Sequence, residues 1–251
     1  MLKKWNVTIP ELSGDVPRKA YIYLPDSWEE KSGKRYPVLY LFDGHNIFLD
    51  EDAAFGKSWG MKKFMDETEK ELIIVAVECN HQGQRRLAEY APFPYRNKAH
   101  GYIEGAAPVL INWMVNTLKP YIDKTYPTLP DREHTIIGGS SMGGLIALFA
   151  VSAYNHVFQR AACLSPSLWV CPRKVLDMLR KGAMAPDTVL YMDYGQQEMG
   201  NHRENPWILR RAVNLLMKKP VNLAFRIIKD GNHSEASWEK QVPVFMECLG
   251  L

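Results

Sequence analysis

One short segment constrains the fold more than any other part of the chain. Gly139-Ser140-Ser141-Met142-Gly143 places a serine between two glycines, after the β-branched run at residues 134–137 and before an apolar stretch that reaches Phe149. A chain that turns from a strand into a helix this sharply strains the serine backbone, and flanking glycines remove the collisions that side chains would make. The segment therefore predicts a strand–turn–helix unit with the Ser141 hydroxyl raised above a sheet.

Short apolar runs that alternate with helical spacing predict the rest of the architecture. Strands are expected at residues 5–9, 18–24, 36–42, 71–77, 134–137, 160–164, 188–194 and 222–228. Helices are expected after the serine turn and at residues 61–69, 102–121, 172–181, 207–218 and 237–249, the last disturbed by Pro243. This alternation favours an α/β fold with a doubly wound, mostly parallel sheet and an antiparallel N-terminal edge, in one domain over residues 1–251. Only a loop and one helix fit between residues 164 and 188, so we expect no large lid domain.

Composition excludes several classes of function. The net charge of +3, from 31 basic and 28 acidic side chains, gives no strong field to attract nucleic acid or an anionic membrane. Neither an export signal nor the roughly 18 apolar residues of a membrane span is visible. The four cysteines lack CxxC spacing, which indicates reduced thiols in a soluble, cytoplasmic protein. They are Cys79, Cys163, Cys171 and Cys248.

A serine is a weak nucleophile unless a histidine takes its proton, so Ser141 needs a partner. His233 lies in the turn after the last predicted strand. When a nucleophilic serine follows a central strand of a parallel sheet, its histidine base usually stands at this place in the chain. His45 follows an earlier strand and is considered separately. The other histidines are expected to be structural or on the surface: His81, His100, His134, His156 and His202.

The acid that would orient His233 should follow the strand at residues 188–194. Glu198 stands just beyond that strand and can reach a neighbouring loop. Asp193 is the rival, but it lies within the strand, where a structural role is expected. Asp230 is nearer to His233 in sequence and is expected to face away.

Two backbone amides are expected to form an oxyanion hole beside the serine. Met142 follows Ser141 at the start of a helix, where the amides favour negative charge. A second amide should come from the loop after residues 36–42, and there His45 follows Gly44, which permits a close backbone approach. The side chains of His45 and Asn46 would lie near the substrate or hold the turn.

At this point the residues resemble the putative esterase family of α/β-hydrolases, which includes feruloyl and acetyl-xylan esterases, esterase D type enzymes, siderophore esterases and mycolyltransferases. The likeness covers most of the chain. It rests on residues 36–44, 89–93, 139–144, 165–169, 195–198 and 231–233. The resemblance implies the α/β-hydrolase fold, Ser141 as nucleophile, Glu198 as acid, His233 as base, and oxyanion amides at Met142 and the residue after Gly44. Many members have aspartate where this chain has Glu198.

The resemblance implies a serine esterase that works through an acyl-enzyme and needs no cofactor or metal. A small-molecule or carbohydrate ester would be its partner, either a carbohydrate-linked acyl ester or a siderophore-type ester. Gly44, Asn46, Tyr90 and Trp169 are the predicted substrate-binding residues. Arg85, Arg86 and Arg96 would attract an anionic substrate or simply be solvated. An acyltransferase or thioesterase with the same residues is the alternative, and a binding module on this scaffold is a third. A homodimer is compatible with the sequence.

Overall fold

A large mixed sheet runs through the protein and is covered by helices on both faces. The computed structural model describes residues 1–29, 33–200 and 205–251. The strands are β1 (Leu2–Ile9), β2 (Gly14–Tyr23), β3 (Val38–Phe42), β4 (Ile73–Val77), β5 (Tyr95–Asn97), β6 (Gly101–Ile103), β7 (Thr135–Ser140), β8 (Arg160–Leu164), β9 (Val189–Gly195) and β10 (Asn222–Ile228). The α-helices are α1 (Pro10–Ser13), α2 (Met61–Thr68), α3 (Arg85–Tyr90), α4 (Ala107–Trp113), α5 (Lys119–Thr125), α6 (Met142–Ala153), α7 (Pro172–Lys181), α8 (Asn205–Leu216), α9 (Glu235–Glu239) and α10 (Val242–Cys248).

The order of strands confirms the predicted sheet. Eight strands lie in the order β1-β2-β4-β3-β7-β8-β9-β10. β1 pairs with β2, and β2 with β4, in antiparallel register, whereas every pairing from β4 to β10 is parallel. The carboxyl ends of β3, β4, β7, β8, β9 and β10 therefore meet at one edge, where ligands of open α/β sheets bind.

Both faces of this sheet are packed, which explains why its strands read as continuous apolar runs. Along β3, Leu39 and Tyr40 are both buried yet belong to hydrophobic clusters on opposite faces. Burial on both sides is the usual condition of a parallel sheet between helices. Among the described residues, no helix combines the length and the apolar character needed to cross a membrane.

Two predicted helices differ from those in the structure. The helix predicted from residue 102 begins at Ala107, after the hairpin of β5 and β6, and Pro108 lies in its first turn. A π-helical segment, Met114–Leu118, joins α4 to α5. The predicted C-terminal helix is divided into α9 and α10, because Pro243 is accommodated in the first turn of a new helix rather than inside a longer one.

The connection between β8 and β9 is short, as predicted. It holds the 3₁₀ turn Leu168–Val170 and α7, and its remaining residues are turns and loops. The carboxyl edge of the sheet is therefore left uncovered by any large insertion at this point.

Candidate active site

The chain turns sharply from β7 into α6 at Ser141, as the sequence predicts. The Ser141 backbone has φ 57° and ψ −121°, a conformation that residues other than glycine rarely adopt. A side chain at Gly139 would place its Cβ 2.7 Å from the carbonyl carbon of Gly143, so this close approach requires glycine. The amide of Ser141 donates to the carbonyl of Leu164 at 2.9 Å, which fastens the turn to the end of β8.

Ser141, His233 and Glu198 form one hydrogen-bonded series. His233 Nε2 lies 2.8 Å from Ser141 Oγ, and His233 Nδ1 lies 2.6 Å from Glu198 Oε2. His233 stands in the turn between β10 and α9, while Glu198 stands in the 3₁₀ turn that follows β9. This arrangement lets the imidazole take a proton from the hydroxyl while the carboxylate stabilises the resulting positive charge.

The loops after β9 and β10 approach each other closely enough to join the acid to the base. A Cβ at Gly195 would lie 2.4 Å from the carbonyl oxygen of Gly231 and 2.7 Å from Glu198 Oε1. The amide of Gln197 donates to the same Gly231 carbonyl at 3.0 Å. Glycine at position 195 is therefore needed for Glu198 to sit beneath His233.

Glu198 is held as a carboxylate although it is only 2% exposed. Its Oε1 accepts hydrogen bonds from the Ser165 hydroxyl at 2.7 Å and from the Gly195 amide at 2.8 Å, and its Oε2 faces His233. Burial alone would raise the pKa of Glu198, but the hydrogen bonds from His233 and Ser165 outweigh that effect and lower the pKa. The group is thus ionised and ready to orient the histidine.

Ser165 is a residue of the site whose role was not predicted from the sequence. Its hydroxyl donates to Glu198, accepts from Trp238 Nε1 at 3.1 Å, and its amide donates to Asp193 Oδ1 at 3.1 Å. Trp238 in turn stands edge-on to the His233 ring, with centroids 5.0 Å apart. The available signal was the position of Ser165 directly after β8, beside the strand that carries the nucleophile.

The two rival carboxylates have other surroundings. Asp193 is buried, and besides the Ser165 amide its Oδ2 accepts from the Tyr191 hydroxyl at 2.8 Å. Burial raises the pKa of Asp193 to about 7. Asp230 is exposed to solvent.

The two predicted oxyanion amides belong to first turns of helical segments, where amides have no partner within the helix. Met142 is the first residue of α6. His45 lies in the 3₁₀ turn Gly44–Asn46, immediately after β3 and the left-handed residue Asp43. A Cβ at Gly44 would lie 2.9 Å from the Tyr21 ring, so this turn packs tightly on the edge of the sheet.

A partly buried ion pair between Asp43 and Arg86 supports the turn that carries His45. Both carboxylate oxygens of Asp43 accept from Arg86, each at 2.7 Å, and the Asp43 amide donates to the Tyr90 hydroxyl at 3.1 Å. Burial would raise the pKa of Asp43, but the Arg86 charge lowers it. Arg86 is therefore engaged with Asp43 rather than simply solvated, and Tyr90, only 1% exposed, lies behind the turn.

A cavity of about 390 Å³ opens onto Ser141 and His233. Asn46 and Glu235 form part of its wall, joined by a hydrogen bond of 3.1 Å from Asn46 Nδ2 to Glu235 Oε1. Phe55, 82% exposed, stands at its rim. Of the predicted substrate-binding residues, Asn46 lines this cavity. The other three predicted residues, Gly44, Tyr90 and Trp169, are not among the described residues that line the cavity.

The remaining histidines are spread over the molecule. His134 pairs with Asp131, with 2.8 Å between Nδ1 and Oδ1. His81, in contrast, lines the cavity beside Cys79, a position that the sequence did not indicate. His202, which was expected to be structural or on the surface, lies outside the described residues.

Comparisons with known proteins identify the family and the fold of the chain. A family model described as Putative esterase matches residues 13–246. The chain is 24% identical to the uncharacterized protein YbbA of Bacillus subtilis over 184 residues, which cover 72% of this chain and 69% of that protein. It is 28% identical to the siderophore triacetylfusarinine C esterase of Aspergillus fumigatus over 152 residues, 58% of this chain and 49% of that protein. The structure of the siderophore hydrolase EstA from Aspergillus nidulans superposes with a TM-score of 0.73 at 18% identity, covering 99% of this chain and 95% of that one.

Proposed function

The chain belongs to the putative esterase family, and from that premise we propose that it is a serine esterase in which Ser141, His233 and Glu198 form the catalytic triad. The observation that carries the proposal is the hydrogen-bonded series from Ser141 Oγ to His233 at 2.8 Å and from His233 to Glu198 at 2.6 Å. A serine in a strained turn, a histidine within bonding distance and an ionised buried carboxylate together supply an activated nucleophile.

The proposed reaction is acyl transfer in two stages. Ser141 Oγ attacks the ester carbonyl while His233 Nε2 takes the hydroxyl proton, and the amides of Met142 and His45 bind the oxyanion that forms. His233 then gives its proton to the leaving alkoxide, which departs as the alcohol. Water repeats the sequence on the acyl-enzyme, releasing the acid and restoring the Ser141 hydroxyl. Glu198 stabilises the imidazolium in both stages.

We propose a siderophore-type ester as the substrate class. The support comes from siderophore hydrolases among the compared proteins and from the shape of the site. The cavity beside Ser141 combines an exposed aromatic rim at Phe55 with the polar pair of Asn46 and Glu235, which suits a ligand with both apolar and hydrogen-bonding parts. A carbohydrate-linked acyl ester is the competing substrate class.

A cytoplasmic location completes the proposal. All four cysteines lie within the described residues and are free thiols, three of them buried. Free thiols are typical of a reducing compartment.

Hydrolysis of a short-chain p-nitrophenyl ester by the wild type and by Ser141→Ala tests the nucleophile. We expect Ser141→Ala to lose activity by at least about a thousandfold and to lose its intact-mass adduct with a fluorophosphonate. Ser140→Ala is the matched control, because it removes a neighbouring hydroxyl from the same turn and should keep the adduct. A Ser141→Ala variant that keeps both activity and adduct would refute the assignment.

The substrate class is tested by incubation with triacetylfusarinine C and with acetylated and feruloylated sugars, followed by mass spectrometry of the products. Faster release of acid from the siderophore ester supports the proposal, whereas preference for the sugar esters favours the competing class. Addition of an alcohol acceptor separates hydrolysis from acyl transfer, because only a transferase would yield mainly the new ester.

A further inference from the structure

We propose that His45, Cys79 and His81 form a binding site for a divalent transition-metal ion of the zinc type, beside the catalytic serine. One ligand atom of each residue lies within 4.8 Å of those of the other two. Cys79 Sγ is 3.9 Å from His81 Nδ1, and the His45 and His81 rings are 4.8 Å apart between centroids. A set of two imidazoles and one thiolate binds Zn²⁺ or Co²⁺ in preference to Mg²⁺ or Ca²⁺.

The topology of the sheet brings these residues together. His45 follows β3, while Cys79 and His81 follow β4, the strand that pairs with β3 in parallel register. The two loops therefore emerge side by side at the same edge. All three side chains line the cavity that Ser141 also lines, so an ion there would be reached directly from solvent.

His45 supplies an independent indication of a missing ligand. The residue is only 7% exposed, and within the described part of the chain its Nδ1 is buried without a hydrogen-bond partner. An unsatisfied buried polar atom costs about 1–3 kcal/mol, so native structures usually give it a partner. A metal ion bound through Nδ1 would fill that need.

The carboxylate of Glu78 lies beside His81, the most exposed of the three proposed ligands. His81 Nε2 lies 3.4 Å from Glu78 Oε2, while the other nitrogen of that ring faces Cys79. A carboxylate behind a histidine is the usual support of a metal-bound imidazole, because it fixes the tautomer and the ring orientation.

Binding requires a small closure of the three ligands. Bonds of about 2.1 Å to nitrogen and about 2.3 Å to sulfur place tetrahedral ligand atoms roughly 3.5 Å apart, which is closer than some of the present distances. His45 and Cys79 are buried and fixed, whereas His81 has a side chain that is 55% exposed and can rotate inward. The ion would replace the thiol proton of Cys79, which is released to solvent, and a water from the cavity would take the fourth position.

Titration of the purified protein with Co²⁺ tests the site without reference to ester hydrolysis. We expect one ion per chain, with visible bands of tetrahedral cobalt and a near-ultraviolet band of sulfur-to-cobalt charge transfer. Cys79→Ser should abolish the charge-transfer band, and His81→Asn should weaken binding by about tenfold or more. Cys248→Ser is the matched control, because it removes a half-buried thiol outside the cluster and should leave the spectrum unchanged.

Two results would overturn the proposal. The first is a wild type that shows no tetrahedral cobalt bands, and the second is a Cys79→Ser variant that keeps the charge-transfer band. Circular dichroism of each variant ensures that a lost spectrum reflects a lost ligand rather than an unfolded chain. Because neither result depends on hydrolysis, failure of the metal site and failure of the esterase proposal are distinguishable.

Discussion

At the scale of single residues, the position of Glu198 depends on its length and on three donors. Its carboxylate reaches His233 from the turn after β9 and is held there by the Ser165 hydroxyl and the Gly195 amide. Aspartate at the same backbone position would be shorter by one methylene, about 1.5 Å. The backbone of this turn is thus matched to glutamate.

Two replacements of Glu198 test the contributions of its charge and of its side-chain length separately. We expect Glu198→Gln to lower kcat/KM by about a thousandfold or more, because it favours the wrong imidazole tautomer and cannot stabilise the imidazolium. Glu198→Asp keeps the charge but loses the contact, and a fall of about 10–100-fold is expected. Steady-state kinetics with a p-nitrophenyl ester measures both.

The control for these variants is Asp230→Asn, which removes an exposed carboxylate close to His233 in sequence. Its kcat/KM should stay within about twofold of the wild type, since an exposed charge is strongly screened. A Glu198→Gln variant that is as active as this control would show that another group orients the histidine.

At the scale of elements, the turn from β7 into α6 depends on glycine packing. The Cβ of an alanine at position 139 would meet the backbone of Gly143 at 2.7 Å, and backbone cannot move aside as a flexible side chain can. The strand and helix would have to separate, which would also displace Ser141 from His233. Stability and activity should therefore fall together.

Thermal unfolding of Gly139→Ala tests this expectation. Overpacking costs about 1–3 kcal/mol, and for a chain of this size each kcal/mol lowers Tm by about 2–4 °C. Gly200→Ala is the control, because no atom of the described residues lies within 4 Å of the added Cβ there. An unchanged Tm for Gly139→Ala would mean that the two elements are less tightly joined than their spacing indicates.

The elements that could be predicted are those with a strong apolar pattern. β3 and β4 are fully buried and were visible as continuous apolar runs. The hairpin of β5 and β6 was not, because its strands have three residues each and mix exposed with buried positions. Too few residues alternate there for any period to emerge.

Within the site, position along the chain selected Ser141, His233 and Glu198, and the structure places the three side chains within hydrogen-bonding distance of one another in series. The roles of Ser165 and Trp238 could not be read in this way, because they depend on which loops become neighbours once β8 and β9 pair. The cluster of His81 with Cys79 was missed for the same reason. A sequence shows which strand a residue follows, but the packing of adjacent loops decides what its side chain touches.

At the scale of the whole molecule, the sheet divides two hydrophobic clusters that share the same strands. The buried ion pair of Arg18 with Glu89 also joins β2 to α3, with distances of 2.8 and 2.9 Å. From this continuity we infer that residues 1–251 form one domain and unfold as one cooperative unit.

The pH dependence of global stability should carry the signature of Asp193. Its pKa is raised by burial to about 7 in the folded protein, against about 3.9 for an unfolded chain. Between these values the folded state retains a proton that the unfolded state has lost, so stability decreases as pH rises. Three units of pKa correspond to about 4 kcal/mol as an upper limit.

Urea unfolding at several pH values between about 4 and about 8 measures this effect. We expect the free energy of unfolding of the wild type, relative to that of Asp193→Asn, to fall as pH rises and to level off above about 7. The exposed Asp230→Asn variant should run parallel to the wild type. Parallel curves for Asp193→Asn as well would show that Asp193 titrates in its ordinary range.

The strained backbone at Ser141 lowers the stability of the fold while it positions the proposed nucleophile, so selection for activity and selection for stability oppose each other here. Its conformation costs a residue with a side chain about 1–3 kcal/mol, whereas glycine adopts it with little strain. A mutation from serine to glycine at this position would therefore yield a sturdier fold that has lost its nucleophile. In lineages that no longer need the reaction, replacement of serine by glycine would increase the free energy of unfolding. Retention of serine at this position, despite its lower stability, therefore indicates selection for the reaction.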